Sequence, residues 1–168
     1  MKSKAGLYYY AQEKRVALSK DEDFVALDLD RANKIGIGHE VQTLLGEDAE
    51  ELRQGFYLVP RSGIPPEVED RLCKNGVLQP VLRHGDALIV AFPEVRVVTS
   101  GTKQDLAVRK FLKESDVPSD VRPARNEGFV VRPRSRRGLD ALRLANQLHE
   151  ETFVEMADVN FIRRVPRP

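Results

Sequence analysis

Arg132-Pro133-Arg134-Ser135-Arg136-Arg137 places four arginines in six residues, between a strand-like and a helix-like pattern. Guanidinium groups pair bidentately with phosphate, so Arg132, Arg134, Arg136 and Arg137 form a candidate basic patch, against the plainer reading of a solvated loop. The stretch KIGIGHE (34–40) carries a GxG without the third glycine of a phosphate loop and reads as an ordinary loop. Asp28 and Asp30 in DLD share one side of a strand, a spacing that can hold a divalent cation, although a solvated strand end is simpler. His39, His84 and His149 are scattered and Cys73 has no companion, so neither metal-ligand spacing nor a thiol nucleophile is built. No G-x-S-x-G occurs. With no convergent catalytic set, the expectation is a non-enzyme that uses no metal or cofactor.

Tyr8, Tyr9 and Tyr10 alternate across a strand and therefore fit sheet packing better than base stacking. The later EGFVVRPRS offers Phe129 but has Val131 and Pro133 where an RNA-recognition sheet would want further aromatics. Lys and Arg number 27 against 26 Asp and Glu, so any attraction to nucleic acid must be local, and such a partner is disfavoured. Apolar runs such as ALIVAF (87–92) are too short to span a membrane, and the start MKSKAGLYYYAQEKR lacks a secretion signal's apolar core. With one cysteine, these features fit a cytoplasmic protein.

The elements that must position these residues follow from periodicity. LYYYAQEKRVAL and DFVALDLD read as two strands of a hairpin around the polar turn SKDED. After the loop RANKIGIGHE, a helix is expected from Val41, Leu44 and Leu45 through EDAEELRQG, then the strand FYLVP and a helix over PPEVEDRLCKNG, punctuated by proline and glycine. In the second half, EVRVVTSG is a strand, and Thr102 with Asp105 forms a capping box for a helix burying Ala107, Val108, Phe111 and Leu112. Two extended segments, DVRPARNE and GFVVRP, precede a helix with Ala141, Leu144, Ala145 and Leu148 at i, i+3, i+4, i+7, and the strand FVEMADVNFI follows.

This order predicts an α+β, ferredoxin-like βαββαβ antiparallel sheet with helices on one face and the other face open. GFYLVPRSG (55–63) matches GFVVRPRSR (128–136) at a constant offset of 73, which points to two tandem units. The expected organisation is an N-terminal unit over 1–90, a second unit over 91–162 and an extended tail over 163–168.

GLDALRLANQLHEETFVEMADVNFIRRV resembles the end of the propeptides that precede subtilisin-like (S8) serine protease domains, where an ALELANQLAE-type helix leads to a VEWAEPNFI-type strand. The opening YYYAQEKRVALSKDEDFVAL is similar to the hairpin of bacterial members, and VLQPVLRHG to a later strand. Val159, where the family usually has proline, and FPEVRVVTSGTKQDL depart from the pattern. The resemblance implies an inhibitor and folding chaperone that docks its open sheet face on the protease and sends its C-terminal extension through the active-site cleft. On that reading Phe161, Ile162, Arg163, Arg164, Val165, Pro166, Arg167 and Pro168 occupy the cleft, and Asp158 and Asn160 help form the docking face. Met1 and the lack of a signal favour a free-standing inhibitor of a separately encoded protease over an excised propeptide. Pro166 and Pro168, which lack an N–H and fix φ, would slow cleavage. The alternative function is a regulatory module that binds nucleic acid through the arginines or a small effector between the two units.

Overall fold

The computed structural model describes residues 6–53 and 55–164. Its first element is a tight hairpin, β1 (Tyr8–Ala11) and β2 (Lys14–Ala17), reversing at Gln12 with φ 58°. The expected pairing of 7–18 with 23–30 is therefore replaced by a reversal inside the first stretch, where Tyr9 lies opposite Val16 and the polar Gln12-Glu13 forms the tip. SKDED is not a turn either. It lies within β3 (Ser19–Asp28), where the Asp21 carboxylate accepts the N–H groups of Asp23 and Phe24 at 2.9 and 2.8 Å. That local loop absorbs the register shift between Lys20 and Val25 in the pairing with the next strand but two.

From β3 onward the chain writes one pattern twice. The first unit is β3, α1 (Leu29–Lys34), α2 (Gly38–Leu44), β4 (Glu50–Arg53), β5 (Phe56–Pro60), α3 (Pro66–Lys74) and β6 (Leu78–His84). The second is β7 (Ala87–Val98), α4 (Thr102–Glu114), β8 (Ser119–Pro123), β9 (Phe129–Pro133), α5 (Gly138–His149) and β10 (Met156–Arg164). Strand order is β6-β3-β5-β4 in one and β10-β7-β9-β8 in the other, all antiparallel, so each is a ferredoxin-like α+β unit.

Local chemistry moved several boundaries. The loop expected over RANKIGIGHE is instead taken up by the end of α1 and the start of α2, α1 beginning at Leu29 because the Asp28 carboxylate caps it by accepting the Arg31 N–H at 3.0 Å. The helix expected through residue 55 ends at Leu44, since Leu45 turns extended, and EELR becomes β4. At α4 the Thr102–Asp105 box is absent: Gly101 holds the cap position and the Asp105 carboxylate accepts the Thr99 hydroxyl. The α5 face packs inward as expected, with Ala141, Leu144, Ala145 and Leu148 buried, while on α4 Val108 and Leu112 are buried with Phe111 against them and Ala107 is only half-buried.

Residues 1–90 and 91–162 are not separate sheets. The boundary falls inside β7, which pairs with β6 through Leu82↔Ile89 and His84↔Ala87, so one eight-stranded sheet runs through both units. The proposed tail also begins too early, because Arg163 and Arg164 belong to β10 and lie opposite Ile89 and Leu88. Alternation sorts the sheet's two faces. The helix-covered face carries Val25, Leu27 and Val59 in the first unit and Val95, Val97, Phe129, Val131 and Val159 in the second. A third cluster, Ala26, Phe56, Leu58, Val81, Leu88, Val90 and Ile162, lies on the opposite face. At its margin Arg164 of β10 makes a two-pronged ion pair with Glu50 of β4, at 3.0 Å for each prong. Contact between these ends of the path β4-β5-β3-β6-β7-β10 means that the sheet curls round this inner core.

The sequence repeat has the right elements and the wrong faces. At an offset of 73, Phe56 and Leu58 match Phe129 and Val131, yet the first pair fills the inner core and the second packs under the helices. The matching glycines do agree, since Gly55 and Gly128 both sit at positive φ, +85° and +79°. The turns align and the strands behind them are one residue out of step.

Candidate functional site

The second unit keeps its helix-free face open at β10 and its neighbours. Register puts Asp158 beside Arg96, Arg96 beside Val130 and Val130 beside Arg122, one row across four strands, with Met156 beside Val98 in the next. Asp158, Asn160, Arg96 and Arg122 are exposed, while Val98, Val130 and Met156 are half-buried. The row behind them, Ala157, Val97 and Phe129, is buried, so alternation alone fixes which side chains the face offers. The result is a mixed face in which half-buried Val98, Val130 and Met156 sit among exposed Arg96, Arg122 and Asp158, offering a protein partner both apolar and ionic contacts.

The expected tail divides. Phe161 is half-buried under Tyr9, ring centres 5.1 Å apart; Ile162 is 7% exposed in the inner core; Arg163 lies 3.4 Å from the Tyr9 hydroxyl; and Arg164 is held by Glu50. These four residues are strand rather than free extension, because paired backbone and a buried isoleucine fix them. Val165, Pro166, Arg167 and Pro168 lie outside the described residues. Next to Tyr9, Tyr10 anchors the hairpin at the end of α5: its ring stacks on His149 at 4.0 Å and its hydroxyl donates to Glu150 at 2.6 Å.

The four arginines do not make one patch. Arg132 pairs with Glu94 at 2.9 Å, Arg134 pairs with Asp120 at 3.2 Å, and Arg137 points toward Cys73, 3.6 Å from its sulfur. Arg136 takes φ 57°, a left-handed conformation costly for a side chain with a Cβ. Buried Gln79 holds it there: its amide donates to the carbonyls of Arg136 at 2.8 Å and Gly76 at 3.1 Å and accepts the Gly138 N–H at 2.7 Å. A Cβ on Gly76 would fall 2.5 Å from that of Arg136, so only glycine allows this approach between the units.

Held in this way, Arg136 joins Arg132 across a cleft of about 330 Å³ from residues that sequence spacing did not connect: Arg31 and Lys34 on α1 and Arg53 on β4. Phe56, Phe92 and Pro93 supply its apolar lining, and Asp28 and Asp30 contribute two carboxylates. The Arg53 guanidinium lies over Phe92, 5.3 Å from the ring centre. Burial pushes the Asp28 carboxyl above its ordinary range, although the Arg31 N–H bond opposes that rise. The DLD motif is thus a helix cap and its neighbour rather than a paired cation site. Among the described residues no cluster of three or more His, Cys, Asp or Glu is arranged to hold a metal, and no helix is long and apolar enough to cross a membrane.

The chain matches no family model, no curated protein and no solved structure.

Proposed function

We propose that the protein binds and inhibits a subtilisin-like serine protease, as the propeptides resembled by its second half do. The observation that carries this reading is the open face of the second unit, where Asp158, Arg96, Val130 and Arg122 line up on a ferredoxin-like sheet whose last strand leads into the C-terminal residues. The face supplies the docking area, and the segment from Val165 onward enters the cleft as an extended strand, with backbone pairing for affinity and side chains for subsite choice. Phe161 to Arg164 serve as the rigid stem of that segment, which lowers the ordering cost of binding. A stable interface buries roughly 1,600 Å² in all, so the face must contribute more than the tail.

Titration of purified subtilisin-like proteases with the full chain should give saturable inhibition. Ending the chain after Arg164, or exchanging the charge at Arg96 (Arg96→Glu), should each weaken inhibition at least tenfold with the melting temperature little changed. No inhibition across a panel of such proteases, or inhibition indifferent to both changes, would overturn the proposal.

A further inference from the structure

We propose that the cleft between the two units is a binding site for a small ligand carrying two or more linked phosphate groups. Three parts of the chain distant in sequence bring Arg31, Lys34, Arg53, Arg132 and Arg136 around one concavity. Among the described residues, Arg31, Lys34, Arg53 and Arg136 form no ion pair within 4.0 Å, whereas eight other arginines and one other lysine do. The cations outnumber the carboxylates of the lining, Asp28 and Asp30, and a concave site focuses the field, so the excess of positive charge favours an anion. Asp28 caps α1 while still attracting Arg31 and Lys34, and with Asp30 it offsets part, not all, of this charge.

Arg136 is the second, independent observation. Its left-handed backbone is a local cost that buried Gln79 and the close approach of Gly76 are arranged to hold, and the conformation delivers its side chain to the cleft. A volume of about 330 Å³ lies at the small end of ligand pockets, which fits a compact polyanion. Linked phosphates match the spread of separate guanidinium forks better than a single carboxylate. Because α1 and β4 belong to one unit and Arg132 and Arg136 to the other, the ligand would also tie the units together.

Inorganic tripolyphosphate and ATP, each titrated into the full chain by calorimetry at fixed ionic strength, distinguish an inorganic chain from a nucleotide as the source of the phosphates. Saturable one-to-one binding of either, with a rise in melting temperature, is expected. Lys34→Gln and Arg53→Gln should each weaken it roughly tenfold or more, while Lys110→Gln and Lys113→Gln on α4 should leave it unchanged. Both cleft residues are exposed, so the ligand-free melting curves of their variants should overlay the parent's. Failure to saturate with either probe, or equal weakening by the α4 substitutions, would overturn the proposal.

Discussion

The two units share strand order and antiparallel pairing, yet one hides its helix-free face and the other displays it. In the first, Ala26, Phe56, Leu58 and Val81 line that face, and the start of β7 with the end of β10 closes over it through Leu88, Val90 and Ile162. In the second, the same face bears Arg96, Arg122, Asp158 and Asn160, all exposed. Topology alone therefore does not decide whether a ferredoxin-like sheet docks something. The decision lies in the residues at every second position, and here β7 and β10, which belong to the displaying unit, run far enough to cover its companion.

The largest effect should come from probing both faces with equal truncations. Leu58 is 2% exposed in the inner core, so Leu58→Ala should cost about 2–5 kcal/mol through lost burial and the cavity left behind. Val130, half-buried on the displayed face, should cost less than about 1 kcal/mol as Val130→Ala. Urea denaturation of both variants measures the difference. Similar costs would mean that the two faces are packed alike and that only one of them being covered makes no difference.

A gentler effect sets two carboxylates of the first unit, both on β3, against each other in acid. Burial raises the Asp21 carboxyl, but hydrogen bonds from Arg83 and the N–H groups of Phe24 and Asp23 outweigh it and hold the group below its ordinary value. A carboxylate depressed in the folded state binds fewer protons than in the unfolded chain. Its stabilisation is therefore present above the unfolded value of about 3.9 and is lost as pH falls through the folded one. Asp28 has the opposite sign, because its raised pKa opposes folding at neutral pH and the penalty disappears as the group protonates. Asp21→Asn should flatten the acid limb of a stability curve taken from pH 7 to 3. Asp28→Asn should steepen it, with the cap kept, since asparagine also caps helices. Identical limbs for the two variants would refute these assignments.

Much of this fold was legible because its signals are local. Ala141, Leu144, Ala145 and Leu148 announce the buried stripe of α5 by spacing alone, and strand alternation separates Asp158 and Asn160 from Ala157 and Val159. What escaped depends on partners far along the chain. The strand at Glu50–Arg53 forms because β5 and the inner core receive Leu52, and its charged sequence reads equally well as helix. Arg31, Lys34 and Arg53 join Arg132 and Arg136 only once the sheet has curled, so no linear spacing predicts the cleft. The run of four arginines is dense in sequence, and the structure divides it by giving Arg132 and Arg134 separate acidic neighbours.

The smallest effect tests what closes the curl. Arg164 and Glu50 join the two ends of the rolled sheet with two-pronged geometry, but their side chains keep 40% and 47% of their exposure. Water competes for both groups, and exposed pairs contribute no more than about 1 kcal/mol. A double-mutant cycle with Arg164→Ala and Glu50→Ala should therefore return a coupling of a few tenths of a kcal/mol, smaller still in high salt. The apolar residues inside, Ile162 and Val90 above all, then hold the ends together, and the ion pair only fixes where they meet. A coupling above about 2 kcal/mol would exceed what such exposure allows. It would make the pair, rather than the covered face, the feature that distinguishes the first unit from the second.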